Sequence, residues 1–155
     1  MAHDIYKGGK AYVSTTAQGA DLLLAGFEAL SWTEIGPIVT QPGLGITYNG
    51  VEQTYLDGLT QYVPGSGAVN AGDLVCGNIP DNPGQLILIA NVGSPDDRAY
   101  KFTRNTTLTA GTGVTETVYT RGIVLSLGDA GGGVDDAITN TYGMKFNQIP
   151  IYDLP

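Results

Sequence analysis

Val114–Leu127, VTETVYTRGIVLSL, and Ile138–Ile149, ITNTYGMKFNQI, are two alternating runs joined by Gly128–Ala137, GDAGGGVDDA. Alternation at period two marks a strand with one buried face. In the first run Ile123, Leu125 and Leu127 form an apolar face, opposed by the small side chains of Gly122, Val124 and Ser126. In the second, Tyr142, Met144 and Phe146 oppose Thr141, Gly143, Lys145 and Asn147. Each run therefore predicts one face on a core and one small or polar face toward something wet. The connecting segment is read as a loop.

Working outward, Lys10–Thr15 (KAYVST), Asp73–Ile79 (DLVCGNI), Arg98–Arg104 and Thr106–Thr109 read as strands. Trp32–Thr40 (WTEIGPIVT) reads as one more, with Pro37 confining part of it to an edge or bulge. Ala17–Ser31 puts Leu23, Phe27 and Leu30 at helical spacing behind a possible Asp21 N-cap, but Gly26 weakens it, so a short helix and a structured loop both stay open. Pro80–Gly93 offers Asp81 or Asn82 as N-cap, Pro83 in the first turn and Gly93 past the end, which predicts a helix. Its centre, Leu86–Ile89, is apolar on every side, so a buried strand competes. Asn49-Gly50 suits a two-residue type I′ hairpin turn that would set Tyr48 opposite Val51. A long excursion is expected between Val51 and Asn70. The sum is a single mainly β domain with one helix packed on a sheet or sandwich.

The formal net charge is −8, from 7 basic and 15 acidic residues, which excludes a basic nucleic-acid clamp. The surplus either keeps the protein soluble or repels a passing polyanion. Catalysis fails on inventory. The one histidine, His3, lies at the N-terminus, and the one cysteine, Cys76, sits among strand-like apolar residues as a small hydrophobe. Nucleophile–histidine mechanisms and a zinc site lack residues. Asp96-Asp97 and Asp135-Asp136 are adjacent, so on a strand they point apart and make no acid/base dyad. Gly131–Gly133 lacks the order of a phosphate loop, and AGGGVDDAI resembles a calcium nonapeptide that works only in tandem. No cofactor, metal or enzymatic activity is expected. Nor is a targeting segment or membrane span, so a soluble, unprocessed chain is expected.

The order of KAYVST, WTEIGPI, the long loop ending in GSGAVNAGDLVCGNI, the helix before RAYKF, and the closing RGIVLSLGDAGGG…ITNTYGMKFNQIPI resembles the major tail tube proteins of long, non-contractile bacteriophage tails. The resemblance covers nearly the whole chain. It implies a β-sandwich or split-barrel-like fold with one flanking helix, over 1–155, without the C-terminal immunoglobulin-like domain of some members. Six copies would form a ring whose inner sheets join into a barrel, and rings would stack into a virion tail tube assembled in the host cytoplasm. DNA would transit the lumen without specific binding. The tail tape measure protein and the tail terminator and distal tail proteins would be partners.

The resemblance further implies ring-to-ring contacts through an N-terminal arm (about 1–9), the long loop (about 51–70) and a C-terminal arm (about 149–155). The apolar residues there are Ile5, Tyr6, Tyr55, Leu56, Leu59, Tyr62, Val63, Ile149, Ile151, Tyr152 and Leu154. Lumen-facing candidates are Thr120, Gly122, Val124, Ser126, Lys145 and Asn147, with Glu34, Asp73 and Glu116 as acids beside the proposed strands. A monomeric β-sandwich module for carbohydrate or a cell surface is the alternative, with Trp32 and the tyrosines as stacking platforms. A hydrolase with two facing carboxylates is the third.

Overall fold

The computed structural model describes residues 5–107, 113–129 and 131–153, with side chains described from Gly9 onward except at 105–107 and 113–115. The elements are β1 (Ile5–Ala17), α1 (Leu24–Glu28), β2 (Trp32–Ile35), β3 (Ile38–Thr40), β4 (Ile46–Thr54), β5 (Thr60–Val69), β6 (Gly72–Gly77), α2 (Pro83–Ala90), β7 (Arg98–Thr107), β8 (Gly113–Asp129), β9 (Thr139–Phe146) and β10 (Ile151–Asp153). The fold is mainly β, as the alternating runs require. One eight-stranded antiparallel sheet runs β2-β1-β7-β8-β9-β6-β3, with β10 on β8, and β4 pairs with β5 in a separate two-stranded sheet.

The large sheet wraps around its own core. Ala11, Val13, Ile35, Leu74, Tyr100, Phe102, Val124, Tyr142, Met144 and Phe146 are buried together on the inner face. The Tyr100, Phe102 and Phe146 rings meet there, Phe146 edge-on to both. Trp32–Thr40 is not one strand. It breaks at Gly36-Pro37 because proline gives no ladder hydrogen bond. The first half then pairs with β1 and the second with β6. No ladder joins β2 to β3, so the barrel stays split.

The predicted helix forms, and it fills that split. Asn82 is its N-cap, with Oδ1 accepting from Gln85 N at 3.1 Å and from Gly36 N at 3.1 Å. One side chain thus starts the helix and ties it to the β2–β3 corner. Buried Gln85 donates from Nε2 to Gly77 O at 2.8 Å, and Leu88 enters the core. Gly84 lets the helix touch the sheet: a Cβ there would lie 2.4 Å from Glu34 O. The competing buried strand is excluded because Leu86 and Ile89 are exposed.

A second, smaller cluster covers the outer face of the β1–β7–β8 half. Phe27 stacks on Tyr119 at 5.3 Å, with Ala99 buried beside them and Leu22, Leu24, Leu30, Trp32 and Ile151 around. Residues 18–31 hold a short helix, but Leu23 is its N-cap and Asp21 has another role. Asp21 and Asp97 flank the buried Arg121 guanidinium, and Asn147 Nδ2 donates to Asp97 Oδ1 at 2.8 Å. Gln148 clamps the same segment, donating to Leu22 O at 2.7 Å and accepting from Leu22 N at 3.1 Å.

Candidate assembly surfaces

The hairpin is the first surface. Asn49-Gly50 does not turn the chain. It lies inside β4, where a register shift falls between Tyr48 and Gly50. The turn is Tyr55–Leu59, closed by Tyr55 N donating to Leu59 O at 2.9 Å, with Gly58 at φ +84°. Asp57-Gly58 carries the same turn chemistry as Asn-Gly and is flanked by longer complementary runs, so it wins. The expected structureless excursion is therefore a strand pair, tolerant of Pro64 because β5 has no second partner strand.

Along this hairpin Tyr48, Val51, Tyr55, Leu56, Leu59, Tyr62 and Val63 are all exposed. Of the named ring-contact residues, five therefore share one projecting element. Ile149 and Tyr152 are exposed on the C-terminal segment. Ile151 instead packs on the Phe27–Tyr119 cluster, and β10 pairs with β8 of its own chain through Ile151–Tyr119, Tyr152–Val118 and Asp153–Thr117. The C-terminal arm is thus partly docked on its own subunit. At the other end, Ile5 opens β1 opposite Asn105, so the expected arm is strand from residue 5. The Ile5 and Tyr6 side chains, and Leu154, lie outside the described residues.

The second surface is the outer face of β8, β9 and β6. The face assigned to β9 is as read: Tyr142, Met144 and Phe146 go inward and Lys145 is exposed. For β8 the reading is corrected. Val124 lies opposite Met144 and Ile123 opposite Lys145, so Val124 is core and Ile123 is on the outer face. A bulge between Val124 and Ser126 then resets the parity: Leu125 is exposed at the bulge, Ser126 takes the outer face opposite Gly143, and Leu127 returns to the core-facing parity opposite Tyr142, as read, though it stays exposed at the strand's end.

The lumen candidates divide accordingly. Thr120, Gly122 and Val124 are buried inside the subunit, and Glu116 is buried on the core-facing parity opposite Arg104, so none of the four can line a channel. Thr120 Oγ1 instead donates to Gln148 O at 2.9 Å, and a Cβ on Gly122 would meet Lys145 O at 2.3 Å. Asp73, Ser126 and Lys145 do come together around a shallow concavity of about 450 Å³. Glu34 lies apart on β2, 3.7 Å from Lys10 Nζ, and Asn147 is bound to Asp97.

The third surface was not read from sequence: free strand edges that carry exposed apolar residues. Past Gly122, β7 no longer accompanies β8, and after one bridge from Val92 to Val124 the Leu125–Asp129 edge has no partner strand among the described residues. Both outer edges of the hairpin likewise have no partner strand among the described residues. Long exposed apolar edges are templates for pairing with another chain.

Of the aromatic residues named as stacking platforms, Tyr48, Tyr55, Tyr62 and Tyr152 are exposed. Trp32 is half-buried beside Tyr119 and donates from Nε1 to Phe27 O at 3.2 Å, so it is no stacking platform. Cys76 is buried, and burial pushes its thiol up to about 12. No helix among the described residues is long and apolar enough to cross a membrane.

No protein-family model matches the chain, and no curated protein matches it. Solved structures do. A sheath/tube terminator of the extracellular contractile injection system PVC is 16% identical, with TM-score 0.65 over 94% of this chain and 93% of that one. The tube-terminating cap of the anti-feeding prophage is 14% identical, with TM-score 0.60 over 94% and 88%. The SPP1 tail tube is 15% identical, with TM-score 0.56 over 94% and 76%. This chain therefore has the fold shared by tail tube and tube-terminator proteins.

Proposed function

We propose that the chain is a structural, non-enzymatic tube subunit: six copies close into a ring, and rings stack into a virion tail tube through which DNA is ejected. The observation that carries this reading is the β4–β5 hairpin. An isolated two-stranded sheet is marginal in water. This one holds seven exposed large apolar side chains and two edges with no partner strand among the described residues, features that a second copy would cover.

The free Leu125–Asp129 edge of β8 supports the same reading, because pairing across copies removes edges by closure. Stacking would use the hairpin tip, with Ile149 and Tyr152 at the chain's end. Tape measure, terminator and distal tail proteins are the partners of such a tube. Sedimentation velocity over a concentration series tests the ring directly. Growth from 16.1 kDa to a species of six times that mass, about 97 kDa, is the expected result. A chain that stays monomeric at every concentration, also with preformed tail tips as seeds, contradicts it.

A further inference from the structure

The sequence raises the expectation of an acidic channel that repels a passing polyanion. The placement of the charges points elsewhere. Of the three acids considered, Glu116 is buried and Glu34 is paired with Lys10 on β2. Only Asp73 stands on the uncovered sheet face, and Lys145 stands on the same concavity. Between and around them the face carries Thr139 and Thr141 on β9, Val75 on β6, and Ile123, Leu125 and Ser126 on β8. Asp129 ends β8 opposite Asn140, on the core-facing parity, and Asp135 and Asp136 belong to the β8–β9 turn beyond this face.

The inner face is filled by the core, and residues 18–31 cover the outer face of the β1–β7–β8 half. A ring built from this subunit is left the β8–β9–β6 outer face as its wall. We propose that the passage is lined by a net-neutral wall of hydroxyl, small and aliphatic side chains, one Asp73 balanced by one Lys145 per subunit, which neither holds nor repels a charged polymer. The inference rests on the tube reading. It assigns the wall a transport role without charge selection: each Lys145 is offset by an Asp73 on the same concavity, so a passing chain meets no surplus of cations to bind its phosphates and no surplus of anions to push it away.

Thr141→Cys tests this in assembled tubes. Thr141 lies mid-wall, opposite Val75 and Gly128, and the native thiol is silent because Cys76 is buried. The variant is doped as a minority subunit into wild-type tubes, so that assembly does not depend on it; Thr139→Cys serves as a second position. Modification rates by a cationic and an anionic methanethiosulfonate are compared, each normalised to 2-mercaptoethanol. A neutral wall gives a cation-to-anion ratio within about threefold of one at low salt, unchanged on raising the salt.

A ratio of about tenfold or more that collapses with salt means a charged wall and overturns the proposal. Equal labelling along the whole tube by a bulky polymer-linked maleimide places the face outside and also overturns it. Absence of tubes in the wild type fails the tube reading itself, and is distinguished from both by electron microscopy before any reagent is added.

Discussion

Arg121→Met should destabilise the subunit by about 3–5 kcal/mol, because it strands a buried charge. The Arg121 side chain is 9% exposed and Asp97 only 13%, whereas Asp21 is 70% exposed. The magnitudes follow from that contrast. The Asp21 pair is a surface ion pair worth about 0–1 kcal/mol, so Asp21→Asn should be nearly silent. Losing Arg121 leaves Asp97 with Asn147 Nδ2 as its remaining side-chain donor, and an uncompensated carboxylate in that position is costly. Urea unfolding followed by tryptophan fluorescence reads the effect. With m near 2 kcal/mol/M, the midpoint should fall by about 1.5–2.5 M. Asp97→Asn combined with Arg121→Met removes the stranded charge and should recover at least half of the loss. A double variant as unstable as Arg121→Met alone would refute the reasoning, since the cost would then lie in lost packing rather than in the unpaired carboxylate.

Gly122→Ala should cost about 1–3 kcal/mol or more, because its Cβ would meet Lys145 O at 2.3 Å, while Gly143→Ala should cost less than Gly122→Ala, since what it meets is the movable Ser126 hydroxyl; thermal melts compare them. Cys76 has a folded pKa raised from 9.0 to about 12, so its contribution is complete below pH 9 and is lost as pH rises through 12. Urea midpoints of Cys76→Ala should therefore show a flatter alkaline decline than wild type, and equal slopes would contradict the assignment. Leu56→Ser with Leu59→Ser, at the exposed hairpin tip, should leave monomer stability within about 0.5 kcal/mol and abolish ring stacking, read by melting and by pelleting.

Much of this fold is legible in the chain because local signals agree with the global solution. Asn82-Pro83 and Gly93 bracket α2 through capping and φ preferences that act within a few residues. The alternation Tyr142–Met144–Phe146 survives because β9 is regular over its whole length. What misleads is non-local. Nothing in TRGIVLSL announces that a bulge changes its parity part-way; only pairing with β9 shows that Val124 shares the face of Met144 before the bulge and Leu127 that of Tyr142 after it.

The hairpin turn is a contest between two good signals, and the loser, Asn49-Gly50, loses because Asp57-Gly58 lets more residues pair. Cover by distant segments is harder still. Thr120, Gly122 and Glu116 alternate plausibly with wet positions, yet Thr120 is closed over by the C-terminal segment, and Glu116 faces inward opposite Arg104. The free edge at Leu125–Asp129 exists only because β7 begins at Arg98, opposite Gly122, a fact of register rather than of composition.

The most direct measurement is electron microscopy of the concentrated protein, with end-on views averaged without imposed symmetry. The account predicts six-fold hollow rings, alone or stacked into tubes, with the hairpin bridging neighbouring copies. Compact particles of a single 16.1 kDa subunit, or filaments without a central channel, would contradict it.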